Sequence, residues 1–291
     1  MTDTAIHDLG YEPYRGPKTP HSERFWVIAR NVFSVAWRSK WGVRLPLFAT
    51  VGTVIAASVI LYVVRYSLMQ LVGGRGGAFL RAELILFGAM RFFELSAFVL
   101  ATVVATAAIA NDLRMGAFQF YFSRPIRRTD YVFGKLLGLI LLVGIPMFIG
   151  PTVIAIMIVL MAWSDAGQVL HLVPETMALG LYGTLAYVLP AAGLGALVQK
   201  RQPAQALFAI YYLLLSTAAV GLSIPLRFPW LRLASLNNDL DVFARWLFAV
   251  PALGENPPLW AALAALGVIV TASFALVWSR VSRAETAGLG Q

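Results

Sequence analysis

The sequence predicts an all-α membrane protein with six transmembrane helices, and three observations carry that reading. Of its 291 residues, 59% are hydrophobic and 13% charged, with mean hydropathy +0.74; soluble domains carry about 25% charged residues. Six apolar runs are each long enough to cross a hydrocarbon core of about 30 Å. The charges gather between these runs with a bias. Alternate connections and both termini hold 16 of the 23 Lys and Arg, the remaining connections hold seven, and the acids divide seven and seven. The excess of +9 therefore lies on one side, which places both termini and the 111–135 connection in the cytoplasm. A charge excess of this origin needs no nucleic-acid partner.

The elements follow in order. Residues 1–21, with Gly10, Pro13, Gly16, Pro17 and Pro20, read as a flexible tail. Ser22 can cap a helix running to about Lys40. Phe25, Ala29, Val32 and Ala36 share one face of it. Trp26, Trp37 and Trp41 beside basic residues give it the character of a helix lying in the membrane interface. Span 1 covers 45–64 without a charge. A Gly-rich turn at 73–77 precedes an apolar stretch holding Arg81, Glu83, Arg91 and Glu94, and span 2 proper covers 92–110. Arg91 and Glu94 are three residues apart, the spacing of an ion pair near the outer headgroups. Span 3 covers 136–160, and Pro146 and Pro151 predict a kink. Span 4 (178–198) is glycine-rich, which suits close helix packing. Span 5 covers 204–222. In the long 223–258 connection, Leu233, Leu236, Leu240, Phe243 and Leu247 recur at helical spacing and predict an amphipathic helix bedded in the outer leaflet. Span 6 covers 259–278, and 280–291 read as a cytoplasmic tail.

The 111–135 connection is the most informative stretch. Asn111 and Asp112 offer an N-cap, Pro125 a stop, and Met115, Phe118 and Phe122 an apolar stripe on a helix too short to span. Arg114, Arg124, Arg127, Arg128 and Lys135 surround it, and Thr129 and Asp130 can cap the next helix. On pattern alone the short helix can rest on anionic headgroups or dock to a soluble partner.

Asp112, Arg114 and Gly116, the Ser123-Arg124-Pro125-Ile126-Arg127-Arg128 stretch, and Tyr131 with Gly134-Lys135 opening a span together resemble the ABC-2 type permeases. These are membrane subunits of ATP-driven exporters. The resemblance implies that the short helix is a coupling helix seated in a groove of a separate cytosolic ATPase, contacted through Asp112, Arg114, Met115, Gly116, Phe118, Arg124 and Arg127. It implies that ATP and magnesium sit on that ATPase, with no cofactor in this chain. It further implies a second permease subunit, giving a homodimer, and residence in a cell membrane such as the bacterial inner membrane. Phe118, Phe120, Tyr121 and Phe122 make this helix more aromatic than the family pattern.

Chemistry of other kinds finds little support. The sequence has no Gly-Lys-Ser/Thr phosphate loop, no His-Glu-x-x-His and no supported Ser/His/Asp set, so no catalytic residues and no enzyme activity are expected. Asp165, His171 and Glu175 are spaced poorly for a metal, and no metal ligands are assigned. The spans lack charges near mid-membrane, which argues against an ion-coupled carrier. Tyr182, Tyr187, Tyr211, Tyr212, Ser216 and Thr217 on spans 4 and 5 are candidates to line a pathway for an apolar or amphipathic molecule; the alternative is helix packing. A non-transporting scaffold or assembly factor is the second functional reading.

Overall fold

A computed structural model describes residues 23–63, 82–117, 126–162, 166–251 and 255–289. The expected N-terminal tail, the Gly-rich turn and residues 118–124 of the short helix lie outside them. Among the described residues there is no β-strand. Helix α1 (Arg24–Trp37) is followed by α2 (Lys40–Val63), which is span 1. Span 2 is one long helix: α3 (Ala82–Leu100), a π turn (Ala101–Ala105) and α4 (Thr106–Arg114). Span 3 repeats that plan with α5 (Arg128–Gly144), a π turn (Ile145–Ile149) and α6 (Gly150–Ala162). The short α7 (Ala166–Val169) leads into α8 (Leu172–Val198), span 4. Span 5 is α9 (Arg201–Ala209), a π turn (Ile210–Leu215) and α10 (Ser216–Ser223). A 3-10 turn (Pro229–Ala234), α11 (Leu236–Leu247) and α12 (Leu259–Leu289, span 6) complete the chain.

Six of these helical stretches are long and apolar enough to cross a membrane. Spans 2, 3 and 4 form the buried centre, and spans 1, 5 and 6 present most of their surface outward. Alternation puts Arg114, Arg128, Val198 and Arg201 at one end, here the hairpin end, and Val63, Leu172, Ser223 and Leu259 at the other.

The helices outrun the apolar runs that predict them. Span 2 extends over Glu83–Arg114 and span 3 over Arg128–Met161, because charged residues near their ends pair with neighbouring helices and need not leave the helix to reach water. Asn111 and Asp112 are accordingly not an N-cap: they lie in the last turns of α4, and a C-cap follows them. The C-terminal tail is also helical, with Arg280 and Arg283 on the last turns of α12. The predicted kink in span 3 takes the form of a π turn. Pro146 has no N–H to give, and the Gly150 N–H reaches the carbonyl of Ile145, five residues back. The leucine seam of α11 packs on the protein: Leu236 and Leu240 are fully buried, and α11 lies against spans 4 and 6.

Candidate functional site

The two ends of the 111–135 connection are fastened to each other. Asp112, near the end of span 2, accepts a hydrogen bond from the Tyr131 hydroxyl at 2.7 Å and pairs with the Lys135 ammonium at 2.8 Å. Tyr131 and Lys135 stand four residues apart on the first turns of span 3, so one helix face presents both. Lys135 also donates to the Ala108 carbonyl at 3.1 Å. All three side chains are buried. One acid, one ammonium and one phenol thus satisfy one another where solvent hardly reaches. The arrangement is non-covalent and mechanical: it makes the ends of two spans one body.

The connection leaves this clamp through a glycine. Ala117 N–H returns to the Asp112 carbonyl at 3.0 Å, across Met115 and Gly116, and Gly116 holds φ = 63°. This is the left-handed glycine turn that ends many helices. On the returning side, the Asp130 carboxylate accepts the Arg127 N–H at 3.1 Å and starts α5. Arg114, Met115 (69% exposed) and Arg127 project outward from these two ends.

Helix α1 is drawn into the same body. A Cβ on Gly134 would stand 2.6 Å from the Phe25 carbonyl and 2.8 Å from Ile28 Cβ, and one on Gly138 would stand 2.8 Å from Val32 Cβ. Only glycine lets the two helices approach so closely. Beside the clamp a cavity of about 220 Å³ is lined by Asn31, Ser39, Asn111, Asp112 and Lys135, among others.

At the opposite end a second charged cluster ties α11 to span 2. The expected Arg91–Glu94 pair is present at 3.1 Å, and Arg91 also pairs with Asp241 of α11, which holds Arg245 at 2.7 Å.

Residues 26–244, which include most of α1, spans 1 to 5 and the whole hairpin, match the family model described as ABC-2 family transporter protein. The chain belongs to the ABC-2 transporter family. No curated protein matches it. The ABC-2 chain is thus a multi-pass membrane permease of an ABC transporter, a transmembrane component and not itself the catalytic one.

In this ABC-2 permease the residues expected to meet an ATPase separate into three groups. Arg114, Met115 and Arg127 are at the surface of the hairpin end. Asp112 and Gly116 are built into the root, one as the buried acid of the clamp and the other as the helix terminator. Phe118 and Arg124 lie outside the described residues. The pathway candidates also divide. Tyr182 gives its hydroxyl to the Leu263 carbonyl at 2.8 Å and sets its ring edge-on to Phe243. Tyr187 is buried, with its hydroxyl 3.3 Å from that of Tyr212 and 3.3 Å from Asn237 Oδ1, and Tyr212 stacks on Phe98 at 4.0 Å. The Tyr211 hydroxyl is buried without a partner among the described residues. Ser216 and Thr217, with Arg91, Asn237 and Asp241, line an open cavity of about 450 Å³ at the opposite end. Sequence reasoning did not pair Tyr131 and Lys135 with Asp112, although their i, i+4 spacing put them on one face.

Proposed function

We propose that this permease is half of an ATP-driven exporter, and that the hairpin between spans 2 and 3 is where a separate cytosolic ATPase pushes it. The observation that supports this is the Asp112–Tyr131–Lys135 clamp. A load on an ordinary loop dissipates in the loop; a load on this one reaches spans 2 and 3 together, and α1 through its glycine contacts with span 3. Arg114, Arg124 and Arg127 meet acidic groups on the ATPase, and Met115 and Phe118 fill its groove. Asp112 acts from beneath as a positioning residue. ATP and magnesium are bound by the ATPase. A second copy of the chain completes the pathway, and the bias of basic residues supports a hairpin end on the cytoplasmic side of the cell membrane.

The test is to isolate the chain from its native membrane, identify any P-loop ATPase that co-purifies, and measure hydrolysis with Met115→Asp or Phe118→Asp. The expected result is unchanged membrane yield with loss of ATPase binding and of stimulated hydrolysis. Full stimulation in both variants overturns the assigned contacts. Isolation with a structural protein and no ATPase replaces the exporter by a scaffold.

A further inference from the structure

Helix α11 carries two acids two residues apart, and the bundle treats them differently. Asp241 is held by Arg91 and Arg245. Asp239 is 0% exposed, and neither of its carboxylate oxygens has a hydrogen-bond partner among the described residues. Among the described residues, the elements packed on α11 bring it no cation. Span 4 contributes Tyr182, whose hydroxyl is given to the Leu263 carbonyl. Span 5 contributes Tyr211, whose own hydroxyl is buried and unpartnered among the described residues. In the 3-10 turn, Arg232 is committed to Ser223 at 2.7 Å and Asn256 at 2.7 Å. Arg91 of span 2 is committed to Glu94 and Asp241. In span 6, Arg280 and Arg283 stand at the far end of the helix.

An ionised carboxylate here would have lost its water and gained no counter-ion among the described residues. We propose that Asp239 is a proton-binding site, neutral while α11 is seated on the bundle and ionised when α11 lifts into water. Burial pushes the acid up to about 8 from its usual 3.8, and the neighbouring Asn238 amide opposes part of that shift. The direction of the pH effect follows. The seated form holds its proton up to about pH 8 and the lifted form sheds it above about pH 4. Between those values each unit of rising pH therefore favours lifting by up to tenfold, and outside them the dependence vanishes. Seating is firmest in acid and weakens toward pH 8. None of this depends on what the permease carries or on which partner drives it.

The chain has no cysteine, so an introduced thiol is the only one. Leu240→Cys reports from the buried face of α11, and Trp246→Cys, 62% exposed on the same helix, corrects for thiol ionisation. The purified full chain in detergent is labelled with a methanethiosulfonate from pH 5.5 to 9.5, and the rate at position 240 is divided by that at 246. The expected ratio climbs toward tenfold per pH unit up to about pH 7.5 and levels near pH 8. With Asp239→Asn added it is flat; with Asp239→Glu it still climbs. A flat ratio in the parent reporter, or an equal climb with Asp239→Asn, overturns the proposal.

Discussion

Replacing Lys135 with methionine keeps the length of the side chain and removes the ammonium that neutralises Asp112. Asp112 would keep the Tyr131 hydrogen bond and lose the 2.8 Å ion pair. The two side chains are 9% and 11% exposed, so the small values typical of surface pairs do not apply. A buried charge stripped of its partner costs about 3–5 kcal/mol. The 220 Å³ cavity beside the pair can admit water, which argues for the lower figure, about 3 kcal/mol. That corresponds to a fall in melting temperature on the order of 5–10 °C. The double variant Asp112→Leu with Lys135→Met removes both charges and restores most of the loss. It still gives up the Tyr131–Asp112 and Lys135–Ala108 hydrogen bonds, at about 1–3 kcal/mol. The assay is thermal unfolding of the purified chain in detergent. If Lys135→Met melts with the parent, or the double variant melts below the single one, the clamp does not hold the two spans together as argued.

Three other outcomes are expected. Gly138→Ala forces a Cβ to within 2.8 Å of the Ala29 carbonyl and of Val32 Cβ, pushes α1 off span 3 and costs about 1–3 kcal/mol in the same melt, whereas Gly52→Ala meets nothing within 4 Å and costs none. Gly116→Ala places a side chain at φ = 63° and costs on the order of 1 kcal/mol, with Gly116→Asn milder. Arg91→Gln leaves Glu94 and Asp241 without their shared guanidinium, so labelling of Leu240→Cys at fixed pH should accelerate.

Hydropathy alone made the six spans legible, because a run that must bury every backbone polar group in lipid has few other solutions. Their ends were not legible. A charged residue normally marks the border of a span, yet Asp112, Lys135, Arg91 and Glu94 all remain within helices. Their partners are non-local: Asp112 meets Lys135, and Arg91 meets an acid 150 residues away. No periodicity within a window reports such pairs. The N-cap reading of Asn111 and Asp112 failed for a local reason. Those residue types do favour helix starts, but Gly116 shortly after them is an equally good stop, and it prevailed. Pro146 announced the π turn of span 3. The turns at Ala101–Ala105 and Ile210–Leu215 contain no proline and had no signature.

Those three π turns bear on how a displacement would travel. Each adds one residue to a helical revolution, so the side chains above it are rotated by about 100° relative to an unbroken helix. Such a dislocation can migrate by exchanging neighbouring carbonyl acceptors one at a time, with no backbone amide left idle in lipid. Spans 2, 3 and 5 can then swivel one half against the other about their own axes while the bilayer still sees continuous rods.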